Sequence, residues 1–342
     1  MKRIFAFFLI ICFAALNTSA ETIRLKAGGE IEGEIIERTN EYIKIGFRGT
    51  PLTYWLDEIH HTEKEADELL SVDKKNFLWK VDSDNNIVYI LGSIHVARED
   101  LYPLNKQIED AFKDSDTLVV EVNLSDIDPE IIQEKFIARG FYLDESTLKE
   151  HISAETFKQA QKKLEDLGRD INSMNKYKPW FLAFTLVTFE LTKLGFDADK
   201  GVDQYFLGKA KEAKNILDFE SIDYQLNLFN NLNDEQQELF LISTLVEADI
   251  LEQEMEQLVK AWKIGDVDSV SDILQQGLKE HPELEPIYEK IFYERNNNMA
   301  LRIEELLRSS YNYFVIVGAG HLVGQKGIIQ LLDKKGYSIS QM

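Results

Sequence analysis

The stretch Ile87-Val-Tyr-Ile-Leu-Gly-Ser-Ile-His95 has the pattern of a buried β-strand that ends in a glycine, with a histidine three residues later. The stretch Tyr313-Phe-Val-Ile-Val-Gly-Ala-Gly-His321 repeats this pattern near the other end of the chain. Short, continuous apolar runs predict strands that are buried on both faces of a parallel sheet. Ligands of such sheets gather beyond the carboxyl ends of the strands, where a glycine permits close approach. The two GxxH segments therefore predict that His95 and His321 meet in one pocket.

The rest of this region predicts an α/β (α+β) core sheet with a large helical insert. Further strands are predicted at residues 76–81, which pair as a hairpin with 87–91, and at 117–122, 214–219 and 337–340. Helical periodicity predicts helices at residues 102–113, 129–195, 234–308 and 327–335, with a break at Pro282 and Pro286. Strands at both ends thus enclose a largely helical middle.

Residues 21–62 have a different character, with short, alternating β segments separated by turn signals. They resemble the Sm/SH3-like barrels, and we expect a small all-β, barrel-like domain here. Residues 63–75 are charged and predict a helical linker to residues 76–342.

Residues 1–20 have the features of a signal peptide: Lys2 and Arg3, then an apolar run, then the small residues Thr18-Ser19-Ala20. We therefore expect a secreted, periplasmic or envelope-facing protein, with association with the envelope left open. Cleavage would remove the only cysteine, Cys12, and change the net charge from −22 to −24. This acidity argues against a nucleic-acid partner, and the mature chain would have no cysteine ligand or nucleophile.

The chemistry-bearing residues lie where the predicted core strands end. His95, Glu121 and His321 each follow one strand, and Asp218 and Glu220 follow another. Two imidazoles with one or two carboxylates suit a divalent transition metal that keeps open positions for water or substrate. A carboxylate that does not bind the metal can transfer a proton. The sequence thus predicts a metal-dependent hydrolytic site.

These motifs resemble those of the TraB/PrgY/GumN family, whose animal members include the Tiki-type metalloproteases. The resemblance rests on six segments in the same order, which are IVYILGSIHVAREDLYPL, TLVVEVNL, KPWFLAF, KGVDQYFLGKAKEAKNILDFESIDYQLNLF, ERNNNMALRIEELL and FVIVGAGHLVGQKGIIQLLDKKGYSI. It implies a metal-dependent hydrolase of the peptidase type over residues 76–342, in a fold of the erythromycin-esterase/ChaN-like group. It also implies a manganese- or cobalt-type ion, while the ligand types alone also allow zinc or iron.

Residue by residue, the resemblance makes His95, His321 and Glu121 the essential site. His95 and His321 are the expected metal ligands, and Glu121 is either a third ligand or the general base. The family's arginine–asparagine pair falls on Arg295 and Asn296.

Arg295 is expected either to bind the substrate or stabilise an oxyanion, or to form a buried ion pair with Glu121 or Asp203. Asn296 is expected at the substrate. The resemblance places a further catalytic carboxylate on Glu220, and whether Asp218 or Glu220 faces the metal stays open at this point. Asp203 is expected to cap a helix rather than bind the metal.

The function expected from the sequence is hydrolysis of a peptide bond in an extracytoplasmic peptide or protein, with hydrolysis of an ester as the less favoured reaction. Two alternatives remain open at this point. One is a non-catalytic protein that sequesters a peptide in the same cleft, as in pheromone shutdown, and the other is a carrier of metal or haem. The oligomeric state and the identity of the substrate are not encoded in any recognisable pattern.

Overall fold

The computed structural model describes residues 20–26, 28, 30–38, 42–47, 50–55, 58–60, 75–125, 127–248 and 250–342. Asn76–Met342 form one compact unit, and the five strands that precede it belong to another. The predicted signal peptide, apart from its last residue, and nearly all of the predicted helical linker lie outside the described residues.

The first unit contains an antiparallel sheet with the strand order β4-β3-β2-β1-β5. Its strands are β1 Ala20–Leu25, β2 Glu30–Arg38, β3 Tyr42–Phe47, β4 Thr50–Trp55 and β5 Ile59–His60. Ile23, Ile43, Ile45 and Ile59 are buried together on this sheet. Its likeness to an Sm/SH3-like barrel stays a prediction.

The second unit is built on a mixed sheet of six strands in the order β11-β6-β7-β10-β8-β9. The strands are β6 Leu78–Asp82, β7 Ile87–Ser93, β8 Thr117–Val120, β9 Asn215–Asp218, β10 Tyr313–Gly318 and β11 Ser338–Gln341. Strands β7, β10, β8 and β9 are parallel, while β6 pairs antiparallel with both β7 and β11. The predicted mixed α/β sheet and the 76–91 hairpin are confirmed, and the ChaN-like grouping stays a prediction.

Strand β10 lies between β7 and β8, and this order decides where the site forms. All residues of β8 and β10 are buried, as expected for strands covered on both faces. Burying each Val, Ile or Phe side chain of this kind contributes about 1.5–3 kcal/mol relative to leaving it exposed. The two GxxH loops and the residue after β8 therefore emerge side by side, from rigid neighbouring strands, at one edge of the sheet.

Helices fill the connections between the strands. They are α1 Lys106–Lys113, α2 Pro129–Gly140, α3 Ala154–Asp166, α4 Pro179–Lys193, α5 Val202–Ala210, α6 Ile222–Asn230, α7 Asp234–Glu247, α8 Leu251–Lys263, α9 Val267–Glu280, α10 Glu285–Tyr288, α11 Glu294–Leu306, α12 Ala319–Leu322 and α13 Ile328–Lys334. A π-helical turn, Glu289–Tyr293, joins α10 to α11. Helices α2–α5 lie between β8 and β9, and α6–α11 lie between β9 and β10, which confirms the helical insert.

Two helix boundaries show how local chemistry sets the details. The helix predicted to begin at residue 102 begins at Lys106 instead, because the Asn105 side chain accepts a hydrogen bond from the Gln107 N–H and caps it there. The break predicted at Pro282 is confirmed, since α9 ends at Glu280 and a short 3₁₀ turn follows. None of the described helices is long and apolar enough to cross a membrane.

Gly92, the second-to-last residue of β7, is required by packing. A Cβ atom at Gly92 would come within 2.4 Å of the Phe77 ring, which is fully buried. We expect Gly92→Ala to lower the free energy of unfolding by about 1–3 kcal/mol through overpacking. Gly208→Ala in α5 is the matched control, because no atom lies within 4 Å of its new methyl group. Gly208→Ala should raise the free energy of unfolding by about 0.5–1 kcal/mol. If urea unfolding shows the same change in this free energy for both variants, the packing requirement at Gly92 is contradicted.

Candidate active site

Glu121 occupies the centre of a cluster at the carboxyl edge of the sheet. Its Oε1 accepts a hydrogen bond of 2.6 Å from the Gly318 N–H, at the end of β10. Its Oε2 accepts hydrogen bonds from Arg295 Nη2 at 2.5 Å and Gln225 Nε2 at 3.2 Å. A Cβ at Gly318 would come within 2.8 Å of His95 Nε2. A glycine is therefore needed where the backbone approaches both the carboxylate and an imidazole.

The structure brings the two GxxH histidines together on this carboxylate. His95 Nε2 and His321 Nε2 each lie 3.8 Å from Glu121 Oε1. Their loops follow the adjacent strands β7 and β10, whose register pairs Gly318 with Ser93. Segments remote in the sequence therefore supply two imidazoles that face a single oxygen atom.

The other ring nitrogen of each histidine faces an acceptor. His95 Nδ1 lies 3.2 Å from Asp203 Oδ1, and His321 Nδ1 lies 2.6 Å from Asn296 Oδ1. A carboxylate or amide oxygen there favours the tautomer with hydrogen on Nδ1, inferred from these partners. Neutral His321 then directs the lone pair of its Nε2 toward Glu121, whereas His95, whose pKa rises to about 9, presents a protonated Nε2 there until it releases that proton.

The two orienting residues are themselves held in place. Asp203 accepts a hydrogen bond of 2.9 Å from the Ser93 hydroxyl. The expected capping role of Asp203 is wrong, because Gly201 is the N-cap of α5 and the Asp203 side chain bonds Ser93 and His95. Asn296 Nδ2 donates to the Lys326 carbonyl at 2.9 Å. Both ends of the Asn296 amide are thus used within the protein, and substrate binding by Asn296 stays a prediction.

Arg295 forms a buried ion pair with two carboxylates, which was one of the two roles expected for it. Its Nε and Nη2 donate to Glu220 at 2.8 Å, and Nη2 also donates to Glu121. Its Nη1 donates to the Ile291 carbonyl at 3.0 Å, within the π-helical turn. The side chain is only 7 % exposed. Every guanidinium nitrogen therefore has a protein acceptor, so Arg295 is placed to orient Glu121.

The uncertainty between Asp218 and Glu220 is resolved by the edge strand β9. The Glu220 N–H donates to the Glu121 carbonyl at 2.8 Å, which places Glu220 beside Glu121. Asp218 is exposed, and its carbonyl accepts a hydrogen bond from Arg302 on the outside of the sheet. Glu220 belongs to the cluster and Asp218 does not.

The charges of the cluster shift the pKa values of its members. Burial lowers the pKa of His321 to about 3, so its imidazole is neutral at pH 7. Burial opposes ionisation of Glu121, but His321, Arg295, His95 and the Gly318 N–H outweigh it and hold the pKa of Glu121 well below its usual value. Arg295 carries the permanent charge among these. The pKa of His95 rises to about 9 because the carboxylates of Asp203 and Glu121 outweigh desolvation.

Residues 77–341 match the TraB/PrgY/gumN family. The chain belongs to this family. The uncharacterized protein YbaP of Escherichia coli (strain K12) is 24 % identical over 249 residues, which cover 72 % of this chain and 88 % of YbaP. No solved structure matches the chain.

Two further relatives of this TraB/PrgY/gumN chain are named metalloproteases. Metalloprotease TIKI2 of Danio rerio is 21 % identical over 338 residues, which cover 82 % of this chain and 64 % of TIKI2. The metalloprotease TIKI homolog of Amphimedon queenslandica is 35 % identical over 95 residues, which cover 26 % of this chain and 19 % of that protein.

In the described part of the chain, no group of three or more His, Cys, Asp or Glu side chains is arranged to hold a metal ion. The donor types of the cluster, two imidazoles and a carboxylate, are nevertheless those that bind divalent transition metals. Two ligands at about 2.0–2.2 Å from one ion lie at most about 4.4 Å apart, and each Nε2 is 3.8 Å from Glu121 Oε1. The negative charge that raises the pKa of His95 also favours a bound cation.

The cluster forms one end of a cavity of about 410 Å³. Polar side chains at that end are Ser93, His95, Glu121, Gln225, Arg295 and His321. The remaining walls are mostly apolar and come from helices α4 and α6–α10 and the π-helical turn, including Phe229, Phe240, Leu258, Leu274 and Phe292. The Phe292 ring also packs against the His321 ring, with centroids 4.9 Å apart.

Sequence reasoning missed Gln225 and Phe292 as parts of the site. Both lie within helical segments whose patterns do not distinguish them from ordinary helix positions. No motif could have identified them, because their relation to Glu121 and His321 arises only when the helices pack on the sheet.

Removal of the Arg295 charge should leave Glu220 without a counter-ion and Glu121 with only the imidazolium of His95 beside it. We expect Arg295→Met to lower the free energy of unfolding by about 3–5 kcal/mol at pH 7, measured with chelator present. Arg302→Met, on the exposed face of the same helix, should cost less than about 1 kcal/mol.

The difference in the free energy of unfolding between Arg295→Met and the unaltered protein should depend on pH. The lowered pKa of Glu121 stabilises the native protein above about pH 4.3, and this stabilisation is lost at lower pH. Without Arg295, the pKa of Glu121 moves back toward its usual value, so the variant gains less stability than the unaltered protein as the pH rises. The difference should be largest at pH 7 and shrink toward pH 4. A difference that is constant across this range would contradict an ionised Glu121.

Proposed function

We propose that this protein is a metal-dependent hydrolase, a peptidase that acts on extracytoplasmic peptides or proteins. The observation that carries the proposal is the convergence of His95 Nε2 and His321 Nε2 on Glu121 Oε1. Membership of the TraB/PrgY/gumN family and similarity to proteins named metalloproteases support it. The apolar cavity beside the cluster offers room for a substrate.

In this proposal His95 and His321 hold one divalent ion through their Nε2 atoms. Such an ion supplies Lewis acidity toward a carbonyl group and makes a nucleophilic water available near neutral pH. Manganese, cobalt and zinc are the candidate ions. Asp203 and Asn296 keep the two imidazoles in the tautomer and orientation that this role requires.

Glu121 has one of two roles, third ligand or general base, and the same oxygen serves either. Oε1 faces both imidazoles, while Oε2 is engaged by Arg295 and Gln225. Arg295 keeps the carboxylate ionised and fixes its orientation, and Glu220 fixes Arg295 in turn. An ionised carboxylate is required both to bind a cation and to accept a proton. Direct contact between Arg295 and substrate stays a prediction.

Export of the chain by an N-terminal signal peptide is part of the proposal. It would place the site among extracytoplasmic peptides. A protein that binds such peptides without cleaving them is the competing function, and the cavity would serve it equally well. Dependence of cleavage on metal separates the two.

The decisive comparison uses purified protein, a mixed peptide library and added Mn²⁺ or Zn²⁺. His95→Ala and His321→Ala should each reduce bound metal from about one ion per chain to well below that, and should lower cleavage by at least about a thousandfold. His281→Ala is the control, because His281 bonds Glu283 away from the site. Peptide binding without cleavage, unchanged by chelator, would establish the sequestering protein instead.

The hydrogen bond from His321 to Asn296 gives a second, independent test. Asn296→Ala should weaken metal binding by about 10–100-fold, because the imidazole loses the acceptor that orients it. The neighbouring substitution Asn297→Ala removes an exposed side chain that bonds only within its own helix, to the Tyr293 carbonyl. It should leave metal affinity unchanged in equilibrium dialysis. Equal losses in both variants would argue against orientation of His321 by Asn296.

A further inference from the structure

The cavity beside Glu121 divides into a polar end and an apolar remainder. Beyond the histidines, the lining residues include Leu228 and Phe229 of α6, Leu258 of α8, Leu274 of α9 and Ile291 of the π-helical turn. Four separate segments thus direct apolar side chains into one space. Side chains normally fill the interior of a folded protein at high density, so an unfilled space is unusual. The apolar walls of this cavity therefore indicate a binding site for apolar groups.

The apolar part of the cavity has few groups that could form hydrogen bonds with a peptide backbone. Apart from the polar end, Ser243 and Tyr288 are the lining residues with polar side chains in the described part of the chain. The Ser243 hydroxyl donates to the Phe240 carbonyl of its own helix, and Tyr288 also has an interaction within the protein. A backbone amide buried here would lack partners, which is unfavourable. Side chains, rather than an extended backbone, fit this part.

The size of the cavity exceeds the needs of one side chain. An apolar cavity of about 150 Å³ accepts a benzene-sized ring, whereas this cavity holds about 410 Å³. At one of its walls, Phe184 is 42 % exposed and packs edge-to-face on Phe229 with centroids 4.8 Å apart. The space therefore accommodates two large apolar groups at once.

We propose that the cavity binds the side chains of two neighbouring large apolar residues of a peptide, with the adjacent peptide bond held at Glu121 and the two histidines. This selectivity deepens the proposed function and rests on it for the position of the bond. The apolar walls select the residues beside the bond, while the polar end, which is common to all substrates, acts on the bond itself. Small or charged residues at these two positions are disfavoured.

The test uses peptides of one common sequence that differ only at two neighbouring positions: Ala-Ala, Leu-Ala, Ala-Leu, Leu-Leu and Phe-Leu. Affinity is measured by calorimetry on the full chain with chelator present, so that no peptide is cleaved. Each buried methylene group contributes about threefold to fourfold in affinity. Leu-Leu should therefore bind at least about a hundredfold more tightly than Ala-Ala, with the single-Leu peptides between them.

Two variants that fill the cavity from different helices provide the matched comparison. Leu228→Trp and Leu258→Trp should each remove most of the advantage of Leu-Leu over Ala-Ala, because each indole fills part of the apolar space. Leu301→Trp, at a site on α11 that is 53 % exposed, should keep the full advantage. Equal affinity for all five peptides, or an advantage that both cavity variants retain, would overturn the proposal.

Dodecanoyl-glycine provides a further arm of the binding test. Tighter binding of dodecanoyl-glycine than of every peptide would assign the cavity to acyl chains, and this result also overturns the proposal.

A parallel measurement of cleavage by the metal-loaded protein separates this inference from the proposed function. Cleavage of all five peptides at similar kcat/KM would contradict the pair selectivity and leave the hydrolase standing. Selective binding of Leu-Leu and Phe-Leu without any cleavage would contradict the hydrolase and support the cavity assignment.

Discussion

The site depends on an ionised carboxylate held inside the protein. Glu121 is nearly buried, and burial of an unpaired carboxylate would be strongly unfavourable. Arg295 supplies the permanent positive charge, Gly318 adds a backbone N–H, and Glu220 anchors the guanidinium. This arrangement leaves Oε1 facing both imidazoles. His95 and His321 therefore both face one fixed, negatively charged oxygen atom, which a cation could also contact.

The topology of the sheet explains why residues so distant in sequence converge. Strand β10 enters between β7 and β8, so the last strand of the parallel set places His321 between the loops that carry His95 and Glu121. The helical insertions then supply the supporting groups, Asp203 from α5 and both Arg295 and Asn296 from α11. The ends of the sheet strands position His95, Glu121 and His321, and the helices orient these side chains and enclose the apolar cavity.

Much of this arrangement could be predicted because it depends on strand ends. Apolar runs followed by GxxH identified β7 and β10, and an acidic residue after the next core strand identified Glu121. The choice of Glu220 over Asp218 could not be made from the sequence, since it depends on the pairing of β9 with β8 and on Arg295. The bond between Asp203 and His95 was also missed, because a first-turn aspartate has the same local pattern whether or not it caps the helix.

Anomalous diffraction from crystals grown with Mn²⁺ or Zn²⁺ would locate a cation at the two histidines. We predict a single strong peak within bonding distance of His95 Nε2 and His321 Nε2, beside Glu121 Oε1, with Arg295 still paired to both carboxylates. A peak elsewhere, or none at this position in crystals that contain the metal, would contradict the shared cation site.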